Sequence, residues 1–116
     1  MKTFLAIFTG TPAGKAAWDA LDAGTRAQRE RDGMAAWNRW GEDHREAIVD
    51  NGAPLGKTKR VTCDGIADIR NPMAAYTLVR AETHADAAKL FEGHPHFAIF
   101  PGDGVEVMEC LPIPQG

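Results

Sequence analysis

The chain of 116 residues carries a formal charge of −3 and is 44% hydrophobic, enough for one core that should bury roughly two thirds of its unfolded surface. Acidic and basic residues are mixed along its length with no basic patch to neutralise phosphates, which argues against nucleic acid as a partner. Cys63 and Cys110 lie far apart and outside any CxxC pair, and the apolar run Phe4 to Phe8 is too short for a signal peptide or a membrane span, so the expectation is a reduced, soluble, cytoplasmic protein that binds no membrane.

In chain order, residues 3 to 9 (TFLAIFT) read as a strand with apolar side chains on both faces, as in the middle of a sheet covered on both sides. Thr11-Pro12 is the signature of an N-cap followed by proline in the first helical turn, and opens a short helix that Asp22-Ala23-Gly24-Thr25 interrupts. A longer helix is predicted from Arg26 to Asp50, with Met34, Trp37, Gly41, His44 and Ile48 on one stripe and Asn51-Gly52 as its stop.

KTKRVTC, residues 57 to 63, reads as the second strand, with Lys57, Lys59 and Arg60 as ordinary guards of an edge. The turn dipeptide Asp64-Gly65 would fold residues 66 to 70 back as a short hairpin arm. AAYTLVRAE, 74 to 82, is the next strand. Thr83 and Asp86 resemble a capping box for a helix that buries Ala87, Leu90 and Phe91 and ends at Gly93. GVEVMECL, 104 to 111, is the last strand, and 111 to 116 form a tail.

That order predicts an α+β fold, ferredoxin-like βαββαβ, as a single domain over 1–116 with a four-stranded antiparallel sheet. Two helices cover only one sheet face, yet the first and last strands are apolar on both. The economical cover for a chain this short is a second copy packed sheet against sheet, a homodimer.

The residues MKTFLAIFTG, IVDNGAPLG, AAYTLVRAETHADAAKLFEGHPHF and GVEVMECLPIP resemble, in order and over nearly the whole chain, the YCII-related family of the dimeric α+β barrel superfamily. The shared motifs are an N-G-x-P-L turn, a V-x-A-x-T-x-x-x-A helix entry and an x-Pro-x-Phe segment before the last strand. The resemblance implies a homodimer with a pocket between sheet and long helix. It also implies a helix histidine near an aspartate in members with activity, one of which resembles a dehydrochlorinating lyase. His44 best matches that histidine, and His94-Pro95-His96 stands where the family more often has Asp-Pro-Phe.

His44 lies four residues from Trp40 and from Ile48 and seven from Trp37, so it is predicted to point with the apolar stripe, as a core histidine or as a base lining the pocket. A base needs an orienting carboxylate, and Asp64, Asp68 and Asp103 all come from loops that could supply one. His94 and His96 admit three readings: metal ligands with His44, residues of a catalytic loop, or a helix stop in which Gly93 terminates and an imidazolium at His94 meets the negative end of the helix dipole. The last is favoured, and no metal or cofactor is expected. Gly10 to Ala16 (GTPAGKA) imitates a phosphate loop but has three residues where the motif needs four, and Ala16 where it needs Ser or Thr.

Trp40 at the margin of the stripe is expected to reach the pocket or the dimer partner, and the pocket under the long helix is expected to be lined by His44, Trp40, His94 or His96, and an aspartate. The expected function is a cofactor-free enzyme performing proton transfer, elimination or isomerisation on a small organic molecule. The alternative is a non-catalytic dimer that binds a small ligand or serves as an accessory module.

Overall fold

The computed structural model describes residues 1 to 114, and the last two residues of the expected tail lie outside the described residues. A four-stranded antiparallel sheet has the order β2-β5-β1-β6, built from β1 (Lys2–Gly10), β2 (Ile48–Pro54), β5 (Met73–Ala81) and β6 (Gly102–Glu109). With α1 (Pro12–Asp19) and α2 (Ala23–Asp43) after the first sheet strand, and α3 (His84–Lys89) and α4 (Pro95–Ala98) before the last, this is the predicted α+β, ferredoxin-like arrangement. Between β2 and β5 the chain makes a separate hairpin, β3 (Thr58–Thr62) and β4 (Gly65–Ile69).

The strand period of two divides β1 cleanly. Phe4, Ala6 and Phe8 are fully buried beneath the helices, while Leu5 and Ile7 are half-buried on the opposite face. Each buried phenylalanine contributes about 1.5–3 kcal/mol relative to exposure, so this strand is the centre of the core, joined there by Val79, Trp40, Ala87 and Phe91.

The caps predicted at Thr11 and Thr83 form. The Thr11 hydroxyl accepts from Gly14 N–H at 3.0 Å with Pro12 in the first turn of α1, and Thr83 accepts from Asp86 N–H at 3.0 Å at the start of α3. Asp22, in the segment expected only to interrupt the two helices, caps α2 by accepting from Thr25 N–H at 3.0 Å. Gly93 takes the left-handed conformation, φ +66°, where the preceding helical turns end.

Three predictions about elements are corrected. The long helix stops at Asp43 rather than Asp50, and Ile48–Pro54 is a strand paired with β5. The apolar Ile48 satisfies either period, and the β-branched pair Ile48-Val49 favours the extended one. KTKRVTC is consequently not the second strand of the main sheet: residues 58 to 62 pair only with β4, around a Cys63-Asp64 turn. The inner stripe of α2 is Gly33, Trp37, Trp40 and His44, and Met34 faces solvent.

Candidate functional site

The histidines meet around the indole rings of α2. His94 is completely buried, with its ring 4.5 Å from Trp37, 4.7 Å from Trp40, 5.0 Å from Phe8 and 6.0 Å from Phe91 between centroids. It caps the short α4: its Nδ1 accepts from the His96 backbone N–H at 3.0 Å. Burial, reinforced by the neighbouring His96 and His44, lowers its pKa from 6.5 to about 4. The imidazolium expected at His94 is therefore corrected to a neutral ring, because the segment turns into the core instead of projecting beyond the helix end.

His96 is buried beside it and donates from Nε2 to the Thr9 carbonyl at 2.6 Å, tying α4 to β1. Gly102 is required by this packing, since a Cβ there would lie 2.1 Å from His96 Nε2.

His44 is half-buried at the C-cap of α2, its ring 5.0 Å from Trp40. Its Nδ1–H donates to the Trp40 carbonyl at 2.9 Å, which leaves Nε2 as the acceptor nitrogen. Trp40 contacts both His44 and His94, and its own N–H donates to the Leu90 carbonyl at 2.7 Å. Among the described residues no group of three or more His, Cys, Asp or Glu is placed to hold a metal ion.

The candidate carboxylates are elsewhere. Asp64 is exposed at the hairpin turn, Asp68 is paired with Lys59 at 2.7 Å on the hairpin, and Asp103 accepts from the Thr9 hydroxyl at 2.6 Å. The ion pairs of the described residues join lysine or arginine to a carboxylate, and none involves a histidine.

Between the C-terminal half of α2 and the β2 edge lies an open pocket of about 570 Å³. Trp37 and Trp40 form its aromatic wall, and Asn38, Arg45, Asn51 and Thr77 are among its polar lining. Thr77 is inward-facing on β5, and its hydroxyl donates to the Asn51 carbonyl at 3.1 Å. Of the ligand-contacting residues expected from sequence, Trp40 lines this pocket, and His94 and His96 lie behind the wall. His44 lines a smaller recess of about 290 Å³ that shares Glu42 and Arg45 with the pocket.

The polar lining was not picked out from sequence. Thr77 had a detectable signal, its alternation with Val79 on the inward face, whereas Arg45 and Asn51 join the site only because the helix ends seven residues early.

No helix is long and apolar enough to cross a membrane among the described residues. No family model matches the chain, and no curated protein matches it in sequence. Among solved structures the chain is similar to 5-chloro-2-hydroxyhydroquinone dehydrochlorinase from Burkholderia phenoliruptrix, in complex with 2,5-dihydroxybenzoquinone, with 16% identity, a TM-score of 0.53, and coverage of 98% of this chain and 95% of that one. At that identity the likeness shows a shared α+β fold.

Proposed function

We propose that the pocket between α2 and the β2 edge takes a small planar organic molecule, and that the protein acts on it by cofactor-free proton transfer, elimination or isomerisation. The observation that carries this is the pairing of two indole rings with a guanidinium and several amide or hydroxyl groups in one pocket. Flat apolar walls recognise a ring, and a few convergent polar groups fix its orientation. The shared fold with a dehydrochlorinase adds support by analogy, which is a weaker warrant than the site itself.

His44 is the base in this reading, acting from the adjoining recess that shares Glu42 and Arg45 with the pocket, because its Nδ1–H is committed to the Trp40 carbonyl and its Nε2 is left to accept a proton. Asp103 is engaged with Thr9. Asp64 and Asp68 stand on a hairpin whose strand residues, Thr58 excepted, are all exposed, so they would orient a histidine only from a second copy. The reading thus includes a YCII-like homodimer.

A second reading, a ligand-binding module without chemistry, is favoured by the lack, among the described residues, of a carboxylate bonded to His44. Calorimetric titration with 2,5-dihydroxybenzoquinone, and chloride release from 5-chloro-2-hydroxyhydroquinone, separate the two. Binding that weakens about tenfold in Arg45→Ala, as loss of one charge-assisted hydrogen bond would give, is expected, with chloride release abolished in His44→Ala. Binding without turnover selects the module. Absence of binding by the wild-type protein removes both readings.

A further inference from the structure

His94 Nε2 is the one buried side-chain nitrogen or oxygen without a hydrogen-bond partner among the described residues. Its chemical state follows from its surroundings. The Nδ1 lone pair is occupied by the His96 N–H, and burial among aromatic rings keeps the imidazole uncharged. A neutral imidazole whose Nδ1 accepts must carry its single proton on Nε2. The core therefore holds a hydrogen-bond donor with its bond unmade, an arrangement that costs stability.

The cap does not explain the choice of side chain. A serine would accept from the same backbone N–H without placing a second polar atom in the core.

The position relative to the pocket supplies the explanation. Trp37 and Trp40 both touch His94 and both line the pocket, so a single ring separates the imidazole from the bound-ligand space. Trp40 is fixed by its bond to Leu90. Among the described residues no such bond holds Trp37, which is half-buried and held by ring contacts with Phe8, His94, His96 and Phe100, so it is the ring that can turn without breaking a hydrogen bond.

We propose that His94 is the specificity-determining donor of this pocket: a ligand that turns Trp37 aside accepts the Nε2–H bond on an oxygen. The ligands selected are planar molecules carrying a phenol, enol or carbonyl oxygen, in preference to hydrocarbons of the same shape. The inference rests on the reading of the pocket given above and adds the chemical feature that the pocket reads.

The test compares hydroquinone with p-xylene, which has methyl groups in place of the hydroxyls, using protein labelled with ¹⁵N at histidine and in the backbone. Hydroquinone is expected to shift the His94 Nε2 resonance together with the amides of Asn38, Asn51 and Thr77, and to bind about tenfold more tightly than p-xylene. His94→Phe, which keeps a ring and loses the N–H, should bind the two equally. His94→Ser, which keeps a cap acceptor but is too short to reach the position of Nε2, should also lose the preference. The wild-type His94 resonance is read independently of whether either variant folds.

Pocket amides that shift with hydroquinone while His94 Nε2 stays still would overturn this inference and leave the pocket reading intact. The same holds for a His94→Phe variant that keeps the tenfold preference. No shift at the pocket amides would overturn both.

Discussion

A histidine held neutral in a core has a calculable effect on stability. The folded-state pKa of His94 is about 4 against an ordinary 6.5, so between these values the unfolded chain binds a proton that the folded one refuses. Stability is full above pH 6.5, falls as pH drops through that window, and stops falling from this cause below about 4. At about 1.4 kcal/mol for each tenfold difference in proton affinity, the loss approaches about 3 kcal/mol. Chemical denaturation followed from pH 7 to pH 4 should show this slope in the wild-type protein and a reduced slope in His94→Phe; identical slopes in the two would show that His94 is not its source. Gly102→Ala is a second residue-scale test, because the added methyl meets the His96 ring and would break its bond to Thr9. A loss of about 1–3 kcal/mol is expected from the overpacking alone, and unchanged thermal stability would place His96 elsewhere. The sequence shows both histidines as a helix stop because Gly93 and Pro95 carry local signals. Their burial is decided by contacts with Phe8 and Trp37, which no local signal reports.

At the scale of elements, legibility follows how local the determining physics is. β1, α1 and the entry to α3 are set by alternation and by caps within a few residues, and all are legible; the last strand is legible in place, with bounds of Gly102–Glu109 rather than 104 to 111. The end of α2 is not. Residues 44 to 50 contain no proline or glycine to stop a helix, and the strand there forms because Ile48 pairs with Val79 of β5, thirty-one residues away. The irregular register of β2 against β5, with shifts on either side of Asp50, is the mark of that compromise. Once β2 takes the edge position, the next two strands have no place in the sheet and pair with each other. Val61 and Ile66 then face each other at 72% and 71% exposure, and the remaining cross-strand support on that face is the Lys59–Asp68 ion pair. A two-stranded hairpin of this kind is marginal alone in water. Hydrogen exchange on a monomeric form should therefore find the amides of Val61 and Ile66 exchanging orders of magnitude faster than those of Leu5 and Leu78. Equal protection would mean that the hairpin is docked within its own chain.

The whole molecule has unfinished surfaces. Its radius of gyration is 16.2 Å and its extents are 56 × 43 × 18 Å, whereas a compact chain of this length should have a radius near 13 Å. The excess reflects a flat body and a projecting hairpin. On the sheet face away from the helices, Leu5 and Leu78 pair across the two central strands, Met108 pairs with Leu5 from the next, and Ile7 faces Tyr76. Four strands about 4.8 Å apart and about 30 Å long present roughly 570 Å². Two such faces in contact remove on the order of 1,100 Å² from water, just below the usual range of about 1,200–2,000 Å² for a stable interface. A two-fold dimer by this face alone would be weak, and the apolar pair Val61 and Ile66 on the hairpin is the surface available to complete it. Sedimentation at micromolar concentration should accordingly give a dimer of about 25 kDa, twice the chain mass of 12.6 kDa. Leu78→Asp places a charge at the centre of the face and should give a folded monomer. Removing the hairpin's apolar pair with Val61→Thr and Ile66→Thr should weaken association without abolishing it. A wild-type protein that sediments as a monomer would overturn the dimer. A Leu78→Asp protein that remains dimeric, or a threonine double variant as tightly associated as the wild type, would each remove one of the two surfaces from the interface.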